Sequence, residues 1–236
     1  EVYPQALTIT AVKDADGNIC NYVGDFIDIT DLKAAEQKIS RLSYFDVLTG
    51  LPNRDRLMQT LEETVSNVSE SGYVGALLFL DLDNFKIINE SAAYSVGDTL
   101  LMLVAERLRT QSIPHNNIAR YGGDEFVIVL SDLDADSARA ADLVGQKAQS
   151  ILAAVEDEYD LDGVKYYISG CVGVALITPD VNVSPEQLLK QAGIALTQAK
   201  AAGRNNVMFF DPSLQHSISE RAQLLSDLRE ALRLKQ

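Results

Sequence analysis

The 236-residue chain predicts an α/β (α+β) domain, a sheet flanked by helices, from three observations. Residues 74–80 form an unbroken apolar run, as a strand buried on both faces requires. Arg120-Tyr-Gly-Gly-Asp-Glu-Phe126 sets two adjacent carboxylates on a glycine pair between strand-like runs at 117–121 and 126–130. That pattern reads as a β-hairpin whose glycines supply positive φ and whose acids sit at an exposed tip. Around these runs lie segments with apolar residues at three- and four-residue spacing, the mark of amphipathic helices.

Taken in order, Leu7-Thr-Ile-Thr-Ala-Val12 alternates like a strand, Asp14-Ala-Asp-Gly17 turns the chain, and residues 19–29 read as a second strand. This hairpin has no core of its own. Thr30 is placed to cap a helix that carries Leu32, Ala35, Ile39 and Leu42 on one stripe. Such a stripe needs a partner, either the adjacent domain or the same helix of a second subunit. A compact domain begins near Asp46, with a helix bearing Leu57, Leu61, Val65 and Val68 on one face. The run at 74–80 then ends in Asp81-Leu82-Asp83, and helical patterns follow at 84–92 and 96–110.

Beyond the acidic hairpin, a long helix is expected over 137–155, with Val144, Ala148, Ile151 and Val155 on one stripe, followed by strands at 164–170 and 171–177. Ser184-Pro-Glu-Gln187 is a capping box with proline at the first helical position, opening a helix that stops at Gly203. Residues 207–210 close the sheet, and a last helix from Ser217 carries Leu225, Leu228 and Leu232 as a second connector.

Composition narrows the function. A net charge of −14 opposes nonspecific nucleic-acid binding, which needs Lys and Arg to displace counterions, and implies that any phosphate ligand arrives with a divalent cation. No run of about 18 apolar residues is present, so no membrane contact is expected of this segment. Cys20 and Cys171 lack the spacing of a disulfide framework or a zinc site, which fits a cytoplasmic compartment, with any membrane anchor lying elsewhere in a longer parent. The opening on Glu1 reads as a cut from such a parent. His115 and His216 are the only histidines and leave little scope for a histidine triad.

The chemistry therefore rests on carboxylates and cations. Asp81 and Asp83 stand at the carboxyl end of the expected central strand, where open α/β sheets bind ligands. Beside the hairpin, Asp81 and Asp124 can share a hard cation, magnesium for preference, with the Leu82 carbonyl completing an oxygen set. The plainer alternatives are that Asp83 caps the next helix, that Asp81 is strand-end polar and that the hairpin acids are merely solvated. Lys86, Lys200 and Arg204 either face a phosphate or end their helices in solvent.

Six motifs recur here in the order and spacing of GGDEF domains: Asp46-x-Leu-Thr-Gly-Leu-Pro-Asn-Arg54, Asp81-Leu-Asp-x-Phe-Lys86, Asn89, Gly97-Asp98, Gly122-Gly-Asp-Glu-Phe126 and Lys200-x-x-Gly-Arg-Asn205. Over 44–211 the chain resembles a diguanylate cyclase. The resemblance implies a central mixed, mostly antiparallel five-stranded sheet flanked by helices, similar to the nucleotidyl cyclase and polymerase palm. It implies that two GTP molecules meet antiparallel across a homodimer, each 3′-hydroxyl attacking the other's α-phosphate to give cyclic di-GMP. By the same resemblance Asp81, the Leu82 carbonyl and Asp124 hold Mg2+ or Mn2+, and Glu125 assists deprotonation or a second metal. Lys86, Lys200 and Arg204 face the phosphates, Asn89 and Asp98 read guanine, Phe85 joins the ligand-binding set, and Gly122 and Gly123 let the backbone approach the phosphates.

The flanks are similar to other signalling modules. Residues 1–30 resemble the last strands of a PAS sensor, 31–43 a signalling helix, and 212–236 the lead-in to an EAL phosphodiesterase. There are departures as well. Ala93-Tyr94 stands where the family has Gly-His, Glu90 replaces a common Asp, and Ile113-Pro-His-Asn116 replaces the Arg-x-x-Asp of product inhibition. The last substitution implies no cyclic di-GMP site there. Ala93-Tyr94, with the EAL-like lead-in, allows a second reading, a weak or inactive GTP-binding domain that regulates an adjacent EAL phosphodiesterase.

Overall fold

The computed structural model describes residues 3–13, 16–91, 94–161, 163–181 and 183–212. The chain divides into two units, Glu1–Tyr44 and Phe45–Gln236. In the first, β1 (Gln5–Lys13) and β2 (Ile19–Asp28) pair antiparallel with Gln5 opposite Asp28, and α1 (Thr30–Tyr44) follows. Leu7, Ile9, Tyr22 and Phe26 are each more than half exposed, as a hairpin without its own core requires. Thr30 does not cap α1. It is already helical, and its N–H and hydroxyl donate to the Asp28 carboxylate at 2.9 and 2.6 Å, so Asp28 takes the capping role.

The second unit is built on a five-stranded sheet of β3 (Gly75–Leu82), β4 (Ile118–Gly122), β5 (Glu125–Leu130), β8 (Gly170–Ile177) and β9 (Val207–Phe209) in the order β4-β5-β3-β8-β9. Every pairing is antiparallel except the parallel one between β8 and β9. β3 is the central strand and is buried along its whole length. Its residues alternate between two cores, because successive side chains of a strand point to opposite faces. Ala76, Leu78, Leu80 and Leu82 pack with α4 (Tyr94–Arg109) and α5 (Ser137–Glu156). Leu77 and Phe79 pack with α2 (Arg54–Ser71) and α6 (Pro185–Ala201). The same alternation assigns Asp81 to the α2/α6 side.

Helix ends follow the local chemistry. Asn53 caps α2 by accepting from the N–H groups of Asp55 and Arg56, and Asp136 caps α5. The Ser184/Gln187 capping box opens α6 with Pro185 in its first turn. α6 lies tight on β8, since a Cβ on Gly173 would fall 2.1 Å from the Ala192 carbonyl oxygen. That close approach carries Lys200, at the end of α6, to the end of the sheet. The helix itself ends at Ala201, two residues before Gly203. The strand expected over 164–170 is instead split. Residues 159–161 (β6) and 164–166 (β7) form a separate small hairpin, and the central sheet resumes only at Gly170. β6 carries no signal in the sequence, because Tyr159-Asp-Leu161 is too short to show a period. The last helix expected from Ser217 lies outside the described residues. Among those described, no helix is long and apolar enough to cross a membrane.

Candidate functional site

The sheet gathers its acids at one end. Asp81 stands opposite Glu125 on one side and Cys171 on the other, and the Leu82 N–H donates to the Asp124 carbonyl at 3.3 Å. Pairing therefore runs into the loop that bears Asp124. Asp81 is only 8% exposed, and its Oδ2 lies 2.7 Å from Lys200 Nζ. Burial pushes the Asp81 carboxyl above its ordinary range, Lys200 pulls it down, and the charges of Asp124 and Asp83 push it up again, leaving a net rise. Glu125 is also raised, first by burial and then by Asp81 and Asp124. Like charges held together in a partly dry site favour a cation or a proton.

The hairpin loop is fixed from behind. Gly123, the first of its two residues, has φ +53°, as a two-residue loop with glycine first requires, whereas Gly122 does not take positive φ. A Cβ at either glycine would meet no protein atom within 4 Å, so the outer face of the turn is open to a ligand. Arg120 donates through Nε and Nη2 to the Gly123 carbonyl at 3.0 and 2.7 Å. Its Nη1 reaches both carboxylate oxygens of Asp46 at 3.1 Å. Asp46 also accepts from the Thr49 N–H and hydroxyl at 2.8 and 2.6 Å. Burial raises the Asp46 carboxyl, but Thr49 and Arg120 outweigh it and hold the group below its ordinary value. The Asp46-to-Arg54 motif thus acts as a brace for the acidic turn. Sequence reasoning missed Arg120 as a functional residue, and the signal was an arginine in the strand entering a glycine turn.

Asp83 is tied elsewhere than expected. It does not serve as a simple helix cap. Its carboxylate accepts from Ser169 Oγ at 2.8 Å, Cys171 Sγ at 3.3 Å and the Asn205 N–H at 3.3 Å, and Arg204 Nε lies 3.6 Å away. Lys200 and Arg204 are therefore both brought to the acidic end. Lys86 is not paired there, because it is 85% exposed on α3 (Phe85–Ser91) with Glu90 at 3.6 Å.

Asn89 and Asp98 are neighbours through Gly97. A Cβ on Gly97 would fall 2.1 Å from Asn89 Oδ1 and 3.3 Å from Phe85 Cζ, so Asn89 lies flat against α4 one residue from Asp98. Asp98 is exposed. Phe85 is 7% exposed within the core, so it offers no open face to a ligand. Ala93 lies outside the described residues. Residues 115–117 form a 3₁₀ turn, with Ile113 buried before it.

Hard oxygen donors dominate the acidic end, and the set of Asp81, Asp124, Glu125 and the Leu82 carbonyl suits Mg2+ or Mn2+ by its chemistry. Among the described residues, no three His, Cys, Asp or Glu side chains already form a cage for an ion. The fit rests instead on the pairing that sets Asp81 opposite Glu125 and runs on from Leu82 into the Asp124 loop, gathering carboxylates whose repulsion of Glu125 a divalent cation relieves.

Residues 43–206 match the family described as "GGDEF: Diguanylate cyclase, GGDEF domain". A Pseudomonas aeruginosa protein named cyclic di-GMP phosphodiesterase NbdA is 37% identical over 205 residues, covering 87% of this chain and 25% of its own length. The bifunctional diguanylate cyclase/cyclic di-GMP phosphodiesterase MucR of the same organism is 36% identical over 207 residues, covering 88% and 29%. The chain thus spans between a quarter and a third of these relatives. Among solved structures, the GGDEF domain of TpbB (YfiN) from Pseudomonas aeruginosa is 31% identical with a TM-score of 0.67, covering 75% of this chain and 99% of that one. The GGDEF domain of DgcB from Caulobacter crescentus, in complex with c-di-GMP, is 26% identical with a TM-score of 0.62, covering 72% and 94%.

Proposed function

The chain belongs to the GGDEF family of diguanylate cyclases, and on that premise we propose that it condenses two GTP molecules into cyclic di-GMP and pyrophosphate, each subunit of a homodimer supplying half of the site. The observation that carries this reading is the cross-strand pair Asp81 and Glu125 with Lys200 Nζ at 2.7 Å from Asp81. Asp81, Asp124 and the Leu82 carbonyl would hold Mg2+ or Mn2+, which when bound neutralises phosphate charge and polarises the α-phosphorus. Glu125, with its raised carboxyl, is suited to take the proton of the attacking 3′-hydroxyl.

In each half-reaction an O–P bond forms from that hydroxyl to the partner's α-phosphorus, and the bond to the β-phosphate oxygen breaks. Lys200 and Arg204 offset the charge of the triphosphate, and Lys86 reaches it from α3. Phosphoryl transfer is mainly positioning and charge neutralisation, which is what this set supplies. Asn89 and Asp98 read the guanine edge, Phe85 backs them, and Gly122 and Gly123 leave room for the phosphates.

The regions 1–30, 31–43, 44–211 and 212–236 are read as a sensor remnant of PAS type, a signalling helix, the cyclase domain and a lead-in to an EAL domain, in a cytoplasmic portion of a longer protein. Residues 113–116 are read as offering no product-binding site. The second reading, a GTP-binding regulator of an adjacent EAL phosphodiesterase, is favoured by Ala93 and Glu90 and by the relative named as a phosphodiesterase. The test is to incubate the chain with GTP and magnesium over a range of chain concentrations. Cyclic di-GMP per chain that rises with concentration supports a two-subunit cyclase, a flat yield contradicts the shared site, and GTP binding without product supports the regulator.

A further inference from the structure

We propose that Asp83 is a positioning residue, which holds the loop after α6 in a strained conformation so that Arg204 faces the triphosphate. The proposal rests on the reading of Arg204 as a phosphate contact. The loop is unusual because three successive residues, Gly203, Arg204 and Asn205, have φ of +123°, +64° and +45°. Glycine takes such angles freely, but arginine and asparagine do so at a cost that the surroundings must offset. The surroundings include the end of α6, where the Arg204 N–H donates to the Ala199 carbonyl at 3.4 Å, and a buried carboxylate, the Asp83 side chain being 2% exposed while that of Arg204 is 55% exposed.

Asp83 meets the loop at both strained residues, at Asn205 through the backbone N–H at 3.3 Å and at Arg204 through Nε at 3.6 Å. Its other contacts, Ser169 Oγ at 2.8 Å and Cys171 Sγ at 3.3 Å, anchor the carboxylate to the β8 side of the sheet. Asn206 steadies the same loop by donating from Nδ2 to the Ala199 and Arg204 carbonyls, both at 3.1 Å. Because Arg204 is engaged by Asp83 at Nε and remains half exposed, the outer edge of its guanidinium is presented toward solvent. A planar guanidinium fixed along one edge is suited to bind a phosphate with the other. A lone carboxylate buried among hydroxyl, thiol and amide donors would suffice for packing alone, but packing does not require two non-glycine residues to be held at positive φ.

The test compares binding of GTP and GMP by calorimetry in the unaltered chain, Asp83→Asn, Ser169→Ala and Arg204→Ala. Asp83→Asn should lower the preference for GTP over GMP about tenfold, the scale of a lost charge-assisted contact. Ser169→Ala, which keeps the charge and both loop contacts, should leave that preference within about twofold. Adding Asp83→Asn to Arg204→Ala should lower the preference no further, because both changes remove one device. A purely structural Asp83 would alter stability in Asp83→Asn without moving the preference, and that result overturns the proposal. If Asp83→Asn does not fold, hydrogen exchange of the unaltered chain decides: the Asn205 amide should be protected, and free exchange there contradicts the claim. An unaltered chain with no preference for GTP over GMP removes the phosphate role of Arg204 and this proposal with it. Loss of the preference in Asp83→Asn alone supports the proposal whether or not the chain turns GTP over.

Discussion

At the acidic end of the sheet, side chains are tied by several bonds each. Asp83 has four partners, and Arg120 spans Asp46 and the Gly123 carbonyl. On α3 and α4, by contrast, Asn89 is placed by lying against the bare Gly97, and Asp98 is exposed at the surface. The difference follows from what each region must hold. Charges brought together at the end of a buried strand repel one another and need bonds to stay in place, whereas the groups proposed to read a base, if they do so, need only a shaped surface. The acidic end should therefore fail chemically and abruptly when altered, and the α3/α4 side sterically and by degrees.

The largest effect is expected at Asp81. Asp81→Asn should cut cyclic di-GMP formation by about a hundredfold or more, because it removes a charged ligand of the proposed metal site. Millimolar magnesium should raise the melting temperature of the unaltered chain and leave that of Asp81→Asn unchanged. A variant still stabilised by magnesium would place the ion elsewhere. Next comes the brace. Arg120→Ala strands Asp46 and frees the Gly123 carbonyl, and urea unfolding should show a loss of about 3 kcal/mol. A loss near zero would mean that the acidic turn keeps its shape unaided.

On the α3/α4 side, Gly97→Ala forces a Cβ to within 2.1 Å of Asn89 Oδ1 unless the side chain moves. GTP affinity should fall about tenfold, with a stability cost of about 1–3 kcal/mol from overpacking. Unchanged affinity would detach Asn89 from the base.

The smallest effect is a matter of pH. The carboxyls of Asp81 and Glu125 are raised in the fold, so the folded chain holds their protons longer than the unfolded one, and stability falls as pH rises through their ordinary values toward the raised ones. Glu125→Gln removes one of these charges and should melt about 1–2 °C higher near pH 7, with the gain vanishing in acid where both forms are neutral. Asp46 works in the other direction. Its lowered carboxyl contributes stability above the ordinary aspartate range, and that stability is lost as pH falls through the lowered value. A Glu125→Gln variant that melts lower at neutral pH would show that the repulsion is already relieved.

Much of this was legible in the residues. The unbroken run at 74–80 announced the central strand, the Ser184 capping box announced α6, and the glycine hairpin placed Asp124 and Glu125 at the end of the sheet. Other features depended on partners distant in sequence. Arg120 reaches Asp46, 74 positions away, and Asp83 reaches Asn205, 122 away, and no local period encodes such contacts. The split of 164–170 was hidden because short strands carry too few residues to reveal an alternation. Gly97 stood in the sequence as part of a motif, but the closeness of Asn89 that requires it appears only in three dimensions.

The central claim is that the acids gathered at the end of β3 and β5 turn GTP over. The direct measurement is chromatography of the products after the unaltered chain and Glu125→Gln are incubated with GTP and magnesium. Cyclic di-GMP and pyrophosphate from the unaltered chain, with little or none from Glu125→Gln, is the predicted result. Equal product from both, or GTP bound by the unaltered chain without any product, would contradict it.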